Sequence, residues 1–204
     1  MEPRPAVIAA DQRRRFELII RADPGLMHLL AALRELALPQ WRLVAGCLYQ
    51  TVSNVLTGRP RGTGINDYDV IYFDDRDLSW EAEDAVIRRV AAATKGAVGP
   101  VEVRNQARVH LWYPDKHGLP YPPLACSTDG IDRFLTMNTR IGLRRTREGY
   151  DVYAPDGFDD AANLIVRPNP GPNFSAENYA RKAARWKALW PEVTVLPAPS
   201  LRGA

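Results

Sequence analysis

The chain has 204 residues, 46% of them hydrophobic and 25% charged, with a formal net charge of +3. That length suits one domain that buries its own core without staples, and two unclustered cysteines, Cys47 and Cys126, exclude a disulfide framework and point to a reducing cytoplasm. No apolar run reaches the roughly 20 residues that cross a bilayer, residues 1–10 lack the apolar stretch of a signal peptide, and so small a basic excess argues against long nucleic acid as a partner.

Residues 11–37 read as two short helices in a hairpin. Phe16, Leu18, Ile19 and Ile20 precede the break Asp23-Pro24-Gly25, and Leu26, Leu29, Leu30 and Leu33 follow it at helical spacing. Asp23 before Pro24 has the form of an N-cap with proline at the first helical position. Residues 41–45 suit a short buried strand; after Gly46, Leu48, Val52, Val55 and Leu56 recur at helical period. Residues 57–66, rich in glycine, read as a loop, and residues 67–73 have the β-branched and aromatic content of a strand.

Residues 80–94 read as a helix with Ala82, Val86, Val90 and Ala93 on one face, ended by Lys95-Gly96. Residues 101–103 and 107–112 read as strands, 114–123 as a long loop and 129–137 as a short helix. Residues 141–143 and 150–153 form an expected hairpin around Arg147-Glu148-Gly149, followed by a short helix at 158–164. Ser175 is placed as the N-cap of a last helix running to Trp190, and a Pro-rich, frayed tail begins at Leu196. The expected division is a helical extension at 1–40, a main domain at 41–192 and a tail at 193–204.

Charge is unevenly distributed. From Asp67 to Asp84 the acids Asp67, Asp69, Asp74, Asp75, Asp77, Glu81, Glu83 and Asp84 stand against Arg76 alone, whereas Arg133, Arg140, Arg144, Arg145 and Arg147 follow one another with no acid between. The two segments can serve a cation and a phosphate respectively, or simply form a mixed solvated surface.

Within the acidic segment, Asp67 and Asp69 are two apart in an expected strand, so their side chains share a face. Paired carboxylates repel and are most easily tolerated with a cation between them. Glu102, bracketed by Val101 and Val103, would point opposite to those valines. If its strand lies beside residues 67–73, the carboxylates Asp67, Asp69 and Glu102 converge as an oxygen-donor set for Mg²⁺ or Mn²⁺. The strand-turn-helix at Gly46 adds a phosphate seat, because a glycine there allows close approach and the helix aims its first N–H groups at the same spot.

Ala45-Gly46-Cys47, Asp67-Tyr68-Asp69-Val70 and Val101-Glu102-Val103 together resemble the pattern of the DNA polymerase β-type nucleotidyltransferase superfamily. More closely, residues 67–74, 103–110 and 186–191 are similar to a bacterial family of uncharacterised nucleotidyltransferase-like proteins. The resemblance implies an α+β fold, a short mixed β-sheet flanked by helices, with divalent metal on Asp67, Asp69 and Glu102. It implies transfer of a nucleotidyl group from a nucleoside triphosphate to an acceptor it does not name. Gly46 and Cys47 fall at the nucleotide-binding turn, and Asn105, Gln106 and Arg108 are candidates to position nucleotide or acceptor.

Cys47 stands where the superfamily usually has Gly or Ser, and Tyr49-Gln50 where the closer family often has a basic residue. A module that binds nucleotide without turnover, and a metal-dependent phosphodiesterase, are therefore the alternative readings. His110 is read as a strand residue satisfied by the backbone rather than as a base; Tyr179 and Lys182 on the last helix either face a triphosphate or belong to a solvated helix face, and the second reading is preferred.

Overall fold

The computed structural model describes residues 5–199, with side chains from Asp11 onward. It opens with α1 (Pro5–Arg21) and α2 (Pro24–Leu36), the expected hairpin. Asp23 caps α2 by accepting from the Leu26 amide at 3.1 Å, with Pro24 in the first turn. Strand β1 (Arg42–Val44) leads through Ala45 into α3 (Gly46–Leu56); β2 (Tyr68–Tyr72), α4 (Trp80–Ala93) and β3 (Val101–Asn105) follow.

Next come a 3₁₀ turn (Gln106–Arg108), α5 (Val109–His117), α6 (Ser127–Asp132) and a second 3₁₀ turn (Met137–Thr139). The chain closes with β4 (Gly142–Arg145), β5 (Tyr150–Tyr153), α7 (Asp159–Ala162), β6 (Ile165–Val166), α8 (Ala176–Leu189) and β7 (Thr194–Val195). Ser175 caps α8 by accepting from the Asn178 amide at 3.2 Å.

Five strands form one mixed sheet in the order β3-β2-β1-β4-β5. β2 and β3 are parallel, joined by the crossover helix α4, while the other pairings are antiparallel. The period-two alternation sorts side chains between faces. Leu43, Tyr68, Val70, Tyr72, Val103 and Leu143 enter a large core with Leu29, Leu30, Leu48, Tyr49, Trp186 and Trp190, so the N-terminal hairpin shares the core of the sheet. On the opposite face Val44 and Ile71 pack with Ile131 and Phe134.

Trp190 ties α8 to the rest: its indole N–H donates to Asn54 Oδ1 at 3.0 Å, and Asn54 Nδ2 donates to the Thr63 carbonyl at 3.0 Å. Gly64 sits against the Trp190 ring at φ +72°, a conformation and a space that both exclude a side chain.

Three expected elements differ. Residues 107–112 are not a strand: they lie in the 3₁₀ turn and α5. The cause is Asn105, whose Oδ1 accepts from the Ala107 amide at 3.1 Å and turns the chain, while Arg108 is anchored behind it. The loop expected from 114 starts later, because α5 runs through Pro114 and stops at Gly118, whose amide donates to the Pro114 carbonyl at 2.8 Å with φ +68°. The helix expected at 129–137 is the earlier and shorter α6, where Asp129 Oδ2 accepts from the Ala125 and Cys126 amides.

Past α8, Val193 is buried, β7 pairs with β6, and the Leu196 amide donates to Val166 at 2.9 Å. The last part of the expected frayed tail, residues 200–204, lies outside the described residues, as do residues 1–4. Among the described residues no helix is long and apolar enough to cross a membrane, and both cysteines are free.

Candidate active site

The sheet register builds the site. Val44 stands opposite Asp69 across β1 and β2, and Asp69 stands beside Glu102 across β2 and β3. Residues paired in this way project from the same face, so Asp69 and Glu102 are neighbours, and Asp67 precedes them on the same strand path by one period. The valines around Glu102 do what their pattern implies: Val103 is buried in the core while Glu102 and Arg104 are exposed on the other side.

The electrostatics match this placement. Burial, then the charge of Asp67, push the Asp69 carboxyl up to about 6 from its usual 3.8; Lys182 opposes, Glu102 adds to the rise and Arg104 opposes. The carboxyl is crowded by like charge rather than neutralised, the condition a cation relieves. Among the described residues no three His, Cys, Asp or Glu side chains are already gathered into a cage. Side by side on one face, the acids have the chemistry of a hard divalent ion's ligands, since the donors are all oxygen, with Glu102 half exposed on the edge strand beside Arg104.

Two clefts meet at Asp69. The first, about 430 Å³, is bordered by Gly46, Asp67 and Asp69 on one side and by Arg181, Lys182 and Arg185 of α8 on the other. On α8, Asn178, Arg181, Lys182 and Arg185 make one stripe at helical spacing beside the buried stripe Tyr179, Ala183 and Trp186. Lys182 is half-buried; burial pushes its ammonium down while Asp69 supports the charged form. The second cleft, about 290 Å³, shares Asp69, Leu135 and Lys182 with the first and is lined by Trp112, Tyr113 and Tyr121. A larger apolar cavity of about 460 Å³ between α1, α3 and α7 contains none of the three acids.

The turn before α3 is strained. Ala45 has φ +63°, and no side chain caps the helix, so its first amides stay available at the cleft. Gly46 leaves room for the Gln50 amide, since a Cβ there would stand 2.9 Å from Nε2. Gln50 is 4% exposed, borders the cleft and has no partner for Oε1.

Several expected contacts fall elsewhere. The Cys47 side chain is buried, its thiol donating to the Val44 carbonyl at 3.3 Å, and burial followed by the charge of Asp69 pushes its pKa up. Only its backbone is at the turn. Asn105 and Arg108 are not brought to either cleft. Asn105 bridges to Asp74, accepting from its amide at 3.0 Å and donating to its carbonyl at 2.7 Å. Arg108 donates to the Leu78 carbonyl at 2.8 Å and pairs with Glu83, which is 2% exposed. Gln106 does border the second cleft.

His110 lies in α5 with Nδ1 buried and unpartnered. Tyr179 is buried and donates to the carbonyls of Val166 and Leu196 rather than facing solvent. The basic segment after Arg133 is not the phosphate side either: Arg140 pairs with Asp132 and Asp156, and Arg144 with Asp151. The cations beside the acids are Lys182 of α8 and Arg104 of β3, neither of which belongs to that basic segment.

Residues 31–195 match a family model described as Nucleotidyltransferase. The chain belongs to this nucleotidyltransferase family. A structure described as an NMR structure that reveals a CCA-adding enzyme head domain is similar at a TM-score of 0.74 and 23% identity, covering 91% of this chain and 96% of that one. At that identity the likeness establishes the fold, an α+β arrangement around the mixed sheet. Among curated proteins none matches the sequence. The nucleotidyltransferase is thus assigned to nucleotidyl transfer in general by its family.

Proposed function

We propose that this nucleotidyltransferase moves a nucleoside monophosphate unit from a nucleoside triphosphate to an acceptor hydroxyl, with Mg²⁺ or Mn²⁺ held by Asp67, Asp69 and Glu102. The observation that carries this reading is that Asp67 and Asp69 border a cleft whose opposite wall is the cationic stripe of α8, with Glu102 beside Asp69 on the neighbouring strand. In such a cleft a divalent ion supplies charge neutralisation on the phosphates and lowers the pKa of the incoming hydroxyl.

The protein groups divide the remaining work. Lys182, with Arg181 and Arg185, neutralises the triphosphate tail, and the free amides at the start of α3 hold phosphate oxygens. Gln50 offers the polar contact that Cys47 does not. Glu102 accepts the proton of the acceptor hydroxyl. The acceptor oxygen then bonds to the α-phosphorus, the bond from that phosphorus to the α,β-bridging oxygen breaks, and pyrophosphate leaves. The stripe on α8 replaces the basic residue missing after Gly46, which favours turnover over a binding-only module.

The test follows the label. With Mg²⁺ and a metabolite extract as the source of acceptors, α-³²P-labelled triphosphate should pass its label to a new product with stoichiometric pyrophosphate. Replacing Lys182 by Ala should raise the KM for triphosphate about tenfold through loss of a charge-assisted contact. Release of free nucleoside monophosphate without an acceptor would instead establish a phosphodiesterase, and an inert wild-type protein that still binds triphosphate would establish the binding module.

A further inference from the structure

The second cleft is furnished for something other than phosphate. Trp112, Tyr113, Tyr121 and Phe134 line it over Ile71, with the Tyr113 and Tyr121 ring centroids 4.5 Å apart and those of Trp112 and Tyr113 5.9 Å apart. It also carries cations. Arg133 lies 4.4 Å over the Tyr121 ring and donates to the Pro122 carbonyl at 3.2 Å, and Arg104 has a loose 3.6 Å contact with Glu102. By contrast, Arg42, Arg108, Arg140 and Arg144 are all held in close carboxylate pairs.

Gln106 completes the wall. It is 6% exposed and packs on Gly130, where a Cβ would collide with its carboxamide. The fold thus holds a hydrogen-bonding side chain beside aromatic walls and a few charged groups, the usual make-up of a small-molecule site.

Resting on the proposed transfer, we infer that this cleft is the acceptor subsite. Its ligand is a small hydroxylated molecule with a planar aromatic body and a carboxylate or similar anionic group. The rings take the flat body by stacking and apolar burial, Arg133 and Arg104 take the anion, and the hydroxyl points to Asp69, where the two clefts join. A nucleobase would fill the ring-lined space but is uncharged and gives Arg133 no anionic partner. A polyphosphate would match the cations but not the rings, and α8 already serves it next door.

The test uses 6-hydroxy-2-naphthoate, a fluorescent molecule of this class, titrated into the full-length protein, with 2-naphthol as its uncharged twin. The wild type should bind the naphthoate at least about tenfold more tightly than the naphthol. Trp112→Ala and Arg133→Gln should each weaken naphthoate binding about tenfold while changing the affinity for magnesium triphosphate less than about twofold. Of the two, R133Q removes the charge from a partly exposed side chain and keeps most of its length over the Tyr121 ring. Naphthoate binding is read by fluorescence without turnover, so a failure of the transfer reading is seen separately, in pyrophosphate release. The inference is overturned if naphthoate at about 1 mM leaves the wild type unbound, or if W112A and R133Q weaken triphosphate instead, which would make the cleft a base pocket.

Discussion

Replacing Asp69 by Asn is expected to cut pyrophosphate release by about 10³-fold or more and, at the same time, to raise the melting temperature of the ion-free protein. The loss follows from the position of Asp69, next to Glu102, one strand period from Asp67 and at the junction of both clefts; removing a group that stabilises transition-state charge typically costs on this scale. The gain in stability follows from its raised pKa. The folded value, about 6, exceeds the ordinary 3.8, so the folded state binds the proton more tightly. The contribution of Asp69 to stability therefore declines as pH rises from about 4 to about 6 and stays unfavourable above that range. The Asn variant lacks this decline, and its advantage opens over the same window, reaching about 2–3 kcal/mol near neutrality, or about 5 °C or more for a domain of this size. Thermal melts in EDTA from pH 4 to 8 check the sign. A variant that is less stable at pH 7, or one that keeps its activity, contradicts the assignment.

Arg108→Ala is expected to destabilise the protein by about 3–5 kcal/mol without weakening triphosphate binding. Glu83 is 2% exposed and is held by Arg108 together with the Asn105 amide at 2.7 Å. Taking away the arginine leaves a buried carboxylate with half its partners, and breaking a buried pair on one side is costly. The melting temperature should fall by about 10 °C, and the double change Arg108→Ala with Glu83→Gln should recover much of it, because the uncompensated charge is gone. Were Arg108 a nucleotide contact, the variant would keep its melting temperature and lose triphosphate affinity.

Arg108 also shows how far the sequence could be read. Residues with regular periods were legible. The pair Asp67 and Asp69, the valine bracket around Glu102, the caps Asp23 and Ser175 and the hairpin at 141–153 follow from local chemistry, and the mixed sheet was implied by the family resemblance. Residues 107–112 were not legible, because the choice between strand and helix rested on the Asn105 side chain capping its own backbone and on Glu83, distant in sequence, holding Arg108. An arginine in a polar run looks the same whether it meets a phosphate or a buried acid.

For α8 the sequence offers a triphosphate contact at Lys182 as well as a solvated face, and its stripe is the signal that favours the first. Asn178, Arg181, Lys182 and Arg185 share a face at helical spacing, and Tyr179, Ala183 and Trp186 form the adjoining buried stripe. A cationic stripe bordering a buried one is placed at the edge of the core, where clefts form, rather than in open solvent. The aromatic cleft had no such signal, since it joins α5, β2 and the segment after α6 across loops whose course no period encodes.

The account depends on Asp67, Asp69 and Glu102 closing on one cation. Titration of the wild-type protein with Mn²⁺, following the free ion by electron paramagnetic resonance, measures this directly against the double variant Asp67→Asn, Asp69→Asn. The wild type should bind Mn²⁺ at least about tenfold more tightly, with Mg²⁺ competing and Glu102→Gln falling between the two. Equal Mn²⁺ binding by the wild type and the double variant would show that the ion is held elsewhere, or not held at all, and would contradict the site.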